Sequence, residues 1–340
     1  MSTPMSRLKF FFMLMKSQWF AKIPVPTSSF AGQTVIVTGS NTGLGKEAAR
    51  HVVRLGAARV ILAVRTESKG QAAAEDILTT TKANKNIIEV WPLDMSDFDS
   101  IKAFAERAQG LDRLDAVLEN AGINSMNWTK VHGEEQILRI NLLGTVLLGL
   151  LLLPKLRESA KKYNSTGRLS FVGSDLQYVA PMLEAKVPGS LLDAMNDEKS
   201  AKHQMNRYPN SKLLLQYATR EIAARSPLTP DSNVLVNNMT PGVCKSDLVR
   251  DKIPLIVQAI MAVVLGVLAR TTEVGGRTLT DAVRPDLGKE THGEFLMDCK
   301  VFPAGPNVET ATGKELAKRC NAEIFARLEH ISPGVTKVLA

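Results

Sequence analysis

The sequence TGSNTGLG, residues 38–45, decides the fold of this chain. It follows a run of β-branched residues at 34–37 and leads into a helical pattern over 46–53. A strand, a glycine-rich turn and a helix in this order present backbone N–H groups and a helix N-terminus to a phosphate. The glycine spacing, G-x-x-x-G-x-G, is neither the G-x-G-x-x-G fingerprint nor the P-loop. The stretch alone therefore predicts either a phosphate-binding turn or an ordinary turn in a parallel sheet.

The composition is that of a globular protein with a moderate positive charge. The chain has 340 residues, of which 44% are hydrophobic and 22% charged, and its net charge is +8. Because its cations are spread without a basic block or interleaved aromatic residues, we expect no nucleic-acid partner. Cys244, Cys299 and Cys320 lack metal-ligand spacing, so we expect reduced thiols, no metal site and a cytoplasmic protein.

Two apolar stretches raise the question of membrane contact. Residues 10–15, bracketed by Lys9 and Lys16, are too few for a signal core or a membrane span. An interfacial helix is the alternative to packing on the domain. Residues 253–269 contain Pro254 and favour a buried or substrate-covering helix. In both places we favour burial over membrane contact.

Seven strand patterns alternate with helical patterns along the chain. After the first strand, we expect strands at residues 59–64, 86–91, 114–119, 168–172, 233–237 and 293–298. Helices are expected at residues 67–81, 96–108, 134–159 and 208–224. This alternation predicts an α/β fold with a Rossmann-type, doubly wound, seven-stranded parallel sheet.

The domain organisation is expected to be one domain with two extensions. Residues 1–30 form an N-terminal extension, 31–300 the catalytic domain, and 301–340 a C-terminal extension packing on the same domain. Residues 142–153 are apolar all round, which predicts burial by a neighbouring helix or by a second subunit in a homodimer. Pro154 is expected to kink this helix or end its regular part.

Polar residues follow the carboxyl ends of the predicted strands, which is where open parallel sheets bind ligands. Tyr208 and Lys212 begin the helix between the fifth and sixth strands, and their i, i+4 spacing puts both on one face. Such a pair is common by chance. Its combination with the glycine turn, residues 120–122 (Asn-Ala-Gly) and Ser174, in this order, is a strong indication of a functional site.

These residues resemble the short-chain dehydrogenase/reductase family over about residues 31–300. The likeness is greatest to the branch with retinol-dehydrogenase-like enzymes and reductases of secondary-metabolite pathways. The resemblance implies that Tyr208 is the proton donor or acceptor, that Ser174 holds the substrate oxygen, and that Asn141 belongs to a water–lysine proton relay. It also implies that Lys212 binds the nicotinamide ribose and favours the tyrosinate, as an ammonium one helical turn away would do.

Arg65 makes NADP(H) the predicted cofactor. NAD-binding folds generally place a carboxylate here, whereas a guanidinium suits a 2′-phosphate. Lys69 and Asn41 are expected to assist, and the alternative is an Arg65 that only points to solvent. Asp94 is expected to accept a hydrogen bond from the adenine amino group, or else to cap the following helix. The full predicted cofactor set is Gly39, Asn41, Thr42, Gly43, Leu44, Gly45, Arg65, Lys69, Asp94, Met95, Asn120, Ala121, Gly122, Tyr208, Lys212, Pro241, Gly242, Val243 and Ser246.

The sequence departs from the family pattern in three places. Glu119 precedes Asn120 where a second Asn is common, and Ser246 stands where Thr is common. Ser174 and Tyr208 are 34 positions apart, against about a dozen in many family members. The insertion, about residues 177–206, forms either a wall of a roomy pocket or an external loop, and we favour the wall. Residues 246–268 are expected to cover the site from the opposite side.

The apolar cover predicts a bulky, lipophilic small-molecule substrate, such as a polyketide, terpenoid, steroid or retinoid. We therefore expect NADPH-dependent reduction of a ketone or aldehyde. One alternative is reduction of an imine or iminium, or a reduction that also guides a cyclisation. Another is a non-catalytic NADP(H)-binding sensor on the same fold.

Overall fold

The strand β1 (Thr34–Thr38) lies in an eight-stranded, mostly parallel sheet. The structure is a computed structural model, and it describes residues 3–245, 248, 266 and 268–339. The other strands are β2 (Arg59–Val64), β3 (Ile88–Pro92), β4 (Ala116–Glu119), β5 (Lys130–Val131), β6 (Glu134–Glu135), β7 (Gly167–Val172), β8 (Val234–Thr240), β9 (Phe295–Met297) and β10 (Lys300–Phe302). The main sheet has the order β10-β9-β8-β7-β4-β1-β2-β3, and β5 and β6 form a separate hairpin.

The predicted doubly wound sheet is confirmed, with one added strand. All seven expected strands are present, and β10 pairs antiparallel with β9 at the edge, so the sheet has eight strands and not seven. The order of strands reverses between β1 and β4. In an open α/β sheet this switch point is where ligands bind.

Helices lie on both faces of the sheet. They are α1 (Arg7–Phe20), α2 (Gly43–Arg54), α3 (Glu67–Thr81), α4 (Phe98–Gln109), α5 (Thr145–Lys162), α6 (Leu191–Asn196), α7 (Arg207–Arg225), α8 (Thr272–Asp281), α9 (Pro306–Glu309) and α10 (Ala311–Ile331). Because side chains alternate along a strand, β1 contributes to two cores. Val35 and Val37 belong to the cluster with α2, α3 and α8, whereas Ile36 belongs to the cluster with α4, α5, α7 and α10.

The long helix expected at residues 134–159 is divided differently. Residues 134–135 belong to β6, Leu138–Gly144 is a π-helical segment, and α5 then continues through Pro154 to Lys162. Pro154 therefore does not end the helix, because burial of the apolar side chains around it outweighs the backbone hydrogen bond that it removes.

The apolar run at residues 142–153 is buried by the chain itself. Leu147 and Leu153 are fully buried, α10 packs against α7, and the turn Val335–Leu339 packs against α5. Among the described residues, Leu138–Lys162 is the one helical stretch with the length and apolar character of a membrane span, and 89% of its apolar window is buried inside the fold. A second subunit is thus not needed to cover this helix.

The insertion at residues 177–206 is not the predicted pocket wall. Its apolar side chains, including Leu191 and Met195, pack into the core cluster and do not line the cavity described below. The Glu323 carboxylate of α10 accepts hydrogen bonds from Ser190 and from the backbone of Leu192, at 2.8 and 3.0 Å. The insertion thereby seals the domain on the side of α10.

Candidate active site

A cavity of about 680 Å³ lies at the carboxyl ends of the central strands. Its lining contains most of the predicted residues: Gly39, Asn41, Thr42, Gly43, Leu44, Arg65, Asp94, Met95, Asn120, Ala121, Gly122, Ser174, Tyr208, Lys212, Pro241, Gly242 and Val243. Gly45, Lys69 and Asn141 are outside the lining. Ser246 and nearly all of the expected cover at residues 246–268 lie outside the described residues, whereas Leu248 lines the cavity.

The glycine turn is shaped by close backbone contacts. Gly39 has φ +62°, and a Cβ there would lie 2.9 Å from the Cα of Ala121. A Cβ on Gly45 would lie 2.5 Å from the Asn120 amide nitrogen. Gly43 begins α2 with φ +58° and has open space where a side chain would be. The turn therefore leaves room for a phosphate at the N-terminus of α2, which fits the pyrophosphate of a nicotinamide dinucleotide.

Asn120 holds the glycine turn against β4. Its Nδ2 donates to the carbonyl oxygens of Thr38 and Gly39, at 2.9 and 3.2 Å. The Thr38 hydroxyl accepts a hydrogen bond from the backbone N–H of Ala121 at 2.9 Å. The Asn-Ala-Gly stretch thus fixes the position of the glycine turn and also lines the cavity.

Ser174, Tyr208 and Lys212 meet at the other end of the cavity. Ser174 follows β7, and its Oγ accepts a hydrogen bond from the backbone N–H of Leu176 at 3.2 Å, so it caps a turn and lines the site at once. Lys212 Nζ lies 5.6 Å from the ring centroid of Tyr208 and donates to the carbonyl oxygen of Val172 at 2.6 Å. All three side chains are buried.

The pKa of Tyr208 differs from the expectation. Burial raises the pKa of Tyr208, a hydrogen bond with Ser174 opposes that rise, and the nearby Asp175 carboxylate adds to it. Burial also lowers the pKa of Lys212 to about 8. Burial therefore sets the pKa of Tyr208 above its usual value, whereas the sequence led us to expect a pKa lowered by the Lys212 ammonium. Tyr208 therefore carries its proton at neutral pH, as a proton donor must.

The start of α7 is fixed by a buried charge cluster beside Tyr208. Arg207 is fully buried; its guanidinium contacts Glu184 Oε1 at 3.1 Å and donates to Ser200 Oγ at 2.7 Å. Glu135 Oε2 lies 3.8 Å from Arg207 Nε. The cluster joins the insertion to the residue that precedes Tyr208.

Asn141 supports the site from behind the cavity. Its Oδ1 accepts from the backbone N–H of Ile123 at 2.9 Å, and its Nδ2 donates to the Ile123 carbonyl at 2.8 Å. A Cβ on Gly122 would be in tight contact with this Oδ1, at 3.2 Å, and in ordinary contact with Lys212 Nζ, at 3.7 Å. A part for Asn141 in a proton relay stays a prediction.

Arg65 and Asp94 occupy the opposite end of the cavity. Arg65 follows β2 and is exposed, and within the described part of the chain no acidic group pairs with it. Lys69 is exposed on α3. Asp94 Oδ1 accepts hydrogen bonds from the backbone N–H and the hydroxyl of Ser96, at 2.8 and 2.7 Å, so it caps the turn before α4 while lining the cavity.

The cavity also contains residues that sequence analysis missed. Phe10 and Leu14 of α1 line it, and Gln18 Nε2 donates to the carbonyl oxygens of Val243 and Leu268, at 2.8 and 2.9 Å. The i, i+4 spacing of Phe10 and Leu14 was the available signal of a packed helix. Asp175 lines the cavity beside Ser174, whose hydroxyl donates to it at 3.3 Å, and burial raises the pKa of Asp175 to about 6.

Comparisons with known proteins identify the class of enzyme. A family model for short chain dehydrogenases matches residues 33–181. The short chain dehydrogenase/reductase dmxR8 of Cryptosporiopsis sp. is 39% identical over 94% of this chain and 98% of that protein. The short-chain dehydrogenase anuD of Penicillium roqueforti is 39% identical over 99% of this chain and 87% of that protein. The chain belongs to the short-chain dehydrogenase/reductase family, whose members are oxidoreductases that bind a nicotinamide cofactor and act on small molecules.

Solved structures agree with the fold. An uncharacterized protein from Mycobacterium paratuberculosis has a TM-score of 0.64 and 25% identity, covering 90% of this chain and 95% of that one. The NADPH-bound carbonyl reductase from chicken fatty liver has a TM-score of 0.56 and 21% identity, covering 85% of this chain and 98% of that one. At 21% identity, the similarity to this carbonyl reductase concerns the fold alone.

Glu119 is a buried acid without a hydrogen-bond partner among the described residues. Burial raises its pKa well above the usual value. The native state therefore keeps a proton that the unfolded chain releases, so Glu119 makes stability fall as the pH rises above about 5. We expect Glu119→Gln to increase the free energy of unfolding by about 2 kcal/mol at pH 8 and by less at pH 5.

Urea unfolding at the two pH values measures this difference. The exposed Glu106→Gln on α4 is the matched control and should change stability at neither pH. A gain that is equal at both pH values would contradict a buried, protonated Glu119.

Proposed function

We propose that this enzyme uses NADPH to reduce a ketone or aldehyde group of a bulky, lipophilic small molecule. One observation carries the proposal: a buried Tyr208, Lys212 and Ser174 share a cavity with the glycine turn and with an Arg65 that has no acidic partner among the described residues. Arg65 supports NADPH over NADH because a guanidinium binds a 2′-phosphate well.

Ser174, Tyr208 and Lys212 have separate roles in the proposed reaction. The reduced nicotinamide, when bound, supplies the hydride. Ser174 holds the carbonyl oxygen, because its hydroxyl is free to rotate from Asp175 towards the substrate. Tyr208, which is protonated at neutral pH, donates its proton to the alkoxide that develops. Lys212, charged below about pH 8, stabilises the tyrosinate that remains.

The remaining lining favours an apolar substrate. It includes the following side chains outside the predicted cofactor set: Phe10, Leu14, Ile123, Leu176 and Leu248. Burying such surface against an apolar ligand contributes about 25 cal/mol for each Å². This composition supports a lipophilic substrate and leaves its identity to experiment.

Turnover of a carbonyl panel tests the proposal. We expect NADPH oxidation with bulky cyclic or aromatic ketones and aldehydes, with lower kcat/KM for small polar carbonyls such as dihydroxyacetone. NADPH binding without turnover of any carbonyl or imine in the panel would favour a non-catalytic nucleotide sensor and overturn the proposal.

Asp175 favours a second candidate, the reduction of an iminium group. Its carboxylate lines the cavity beside Ser174 and is ionised above about pH 6. A carboxylate at that place stabilises a cationic carbon–nitrogen double bond more than a neutral carbonyl. Turnover of cyclic imines with no turnover of ketones would make this the enzyme's reaction, and the product amine identifies it.

A further inference from the structure

Helix α1 is attached to the domain through one of its faces. Phe10 and Leu14 line the cavity, and Met15 is buried. The Ser17 hydroxyl donates to Asp298 Oδ1 at 2.8 Å, and Gln18 bonds to two backbone carbonyls. These contacts fix the orientation of the helix. The side chains on its other face are exposed as a consequence.

The outer face of α1 is apolar as well. Eleven large hydrophobic side chains are exposed in the described part of the chain, and five of them lie on this 14-residue helix. They are Leu8, Phe11, Phe12, Trp19 and Phe20, with Phe12 64% and Trp19 55% exposed. Single exposed apolar residues are ordinary, but a cluster of this kind on one helix indicates a binding surface.

Positive charges surround this apolar face. Arg7, Lys9, Lys16 and Lys22 are all exposed, and no Asp or Glu precedes Glu47 in the sequence. Aromatic side chains flanked by cations are the pattern of a helix that lies in a lipid interface with anionic headgroups. Two copies of this face would bring like charges together, so the charge disfavours self-association.

We infer that the outer face of α1 docks the enzyme on the surface of an anionic lipid bilayer. Phe12 and Trp19 enter the boundary between headgroups and acyl chains, and Lys9 and Lys16 contact lipid phosphates. At about 1.5 Å per residue, α1 is about 21 Å long and too short to span the hydrocarbon core of about 30 Å. Since its inner face lines the cavity, docking places the cavity next to the lipid. This inference does not depend on the proposed reaction.

Vesicle flotation of the full-length protein tests the docking. We expect binding to vesicles of phosphatidylcholine with phosphatidylserine, weaker binding to phosphatidylcholine alone, and loss of binding as salt rises. Phe12→Glu with Trp19→Glu should reduce the partition coefficient roughly a hundredfold, since each buried aromatic side chain contributes about tenfold. Met205→Glu with Val301→Glu, exposed apolar sites elsewhere, is the matched control and should bind as the wild type does.

The charges and the tryptophan give independent readouts. Lys9→Gln with Lys16→Gln should weaken binding roughly tenfold, whereas the exposed Lys314→Gln with Lys318→Gln on α10 should leave it unchanged. The tryptophan fluorescence emission should shift to the blue when anionic vesicles are added, and Trp19→Phe should remove that shift. This readout remains available even if the variant with Phe12→Glu and Trp19→Glu fails to fold. No flotation of the wild type, equal loss in the Met205/Val301 control, or a wild-type dimer that Trp19→Phe dissociates would overturn the inference.

Discussion

Replacing Tyr208 with Phe should lower kcat for carbonyl reduction about a thousandfold, since a positioned proton donor contributes about 10²- to 10⁴-fold. The substitution removes the hydroxyl and keeps the ring that is buried on α7. We therefore expect NADPH affinity and the temperature of thermal unfolding to change little, because the substitution lowers only the rate of the chemical step. Steady-state NADPH oxidation, with cofactor titration by fluorescence, separates these effects.

Tyr217→Phe is the matched control for this substitution. Tyr217 lies on the same helix and is buried, and its hydroxyl donates to the Asn307 carbonyl at 2.7 Å, outside the cavity. We expect it to lower stability by about 1 kcal/mol and to leave kcat unchanged. Retained turnover in a well-folded Tyr208→Phe variant would remove Tyr208 from the mechanism.

Arg65→Asp should reverse the cofactor preference. The change removes a charge-assisted contact to the 2′-phosphate, adds a repelling carboxylate, and offers that carboxylate to the ribose hydroxyls of NADH. Together these effects should change the ratio of kcat/KM for NADPH to kcat/KM for NADH by roughly a thousandfold. The measurement compares both cofactors at one fixed substrate concentration.

Lys82→Asp controls for net charge. Lys82 is exposed just beyond the end of α3, and its substitution changes the charge by the same amount, away from the cavity. We expect the preference for NADPH to survive in this variant. An Arg65→Asp variant that still prefers NADPH would mean that Arg65 points to solvent and does not select the cofactor.

The sheet was predictable because parallel strands buried on both faces are continuous apolar runs, as in β1 and β2. Strand β10 was missed for a local reason. It has three residues, and the turn before it uses Asp298 and Cys299, both with positive φ, so it carries no glycine or asparagine signal. Strand β9 also has three residues, but it was recognisable because all three are apolar and buried.

That Ser174, Tyr208 and Lys212 would line one cavity was predictable, because their order along the chain places them at one edge of the sheet. The pKa of Tyr208 was not predictable, since it depends on how deeply the fold buries the side chain and on the nearby Asp175 carboxylate. The insertion was also misassigned, because an apolar residue such as Leu191 suits a pocket wall and a core equally well. Only the packing of α10 against the insertion distinguishes the two.

The most direct test of the reductase assignment uses NADPH deuterated at the transferable position of the nicotinamide. After turnover of a lipophilic ketone from the panel, mass spectrometry should find one deuteron at the carbinol carbon of the alcohol, and Tyr208→Phe should form almost none of this product. NADPH that binds tightly while no deuterium reaches any carbonyl or imine carbon would contradict the assignment of this cavity as a reductase active site.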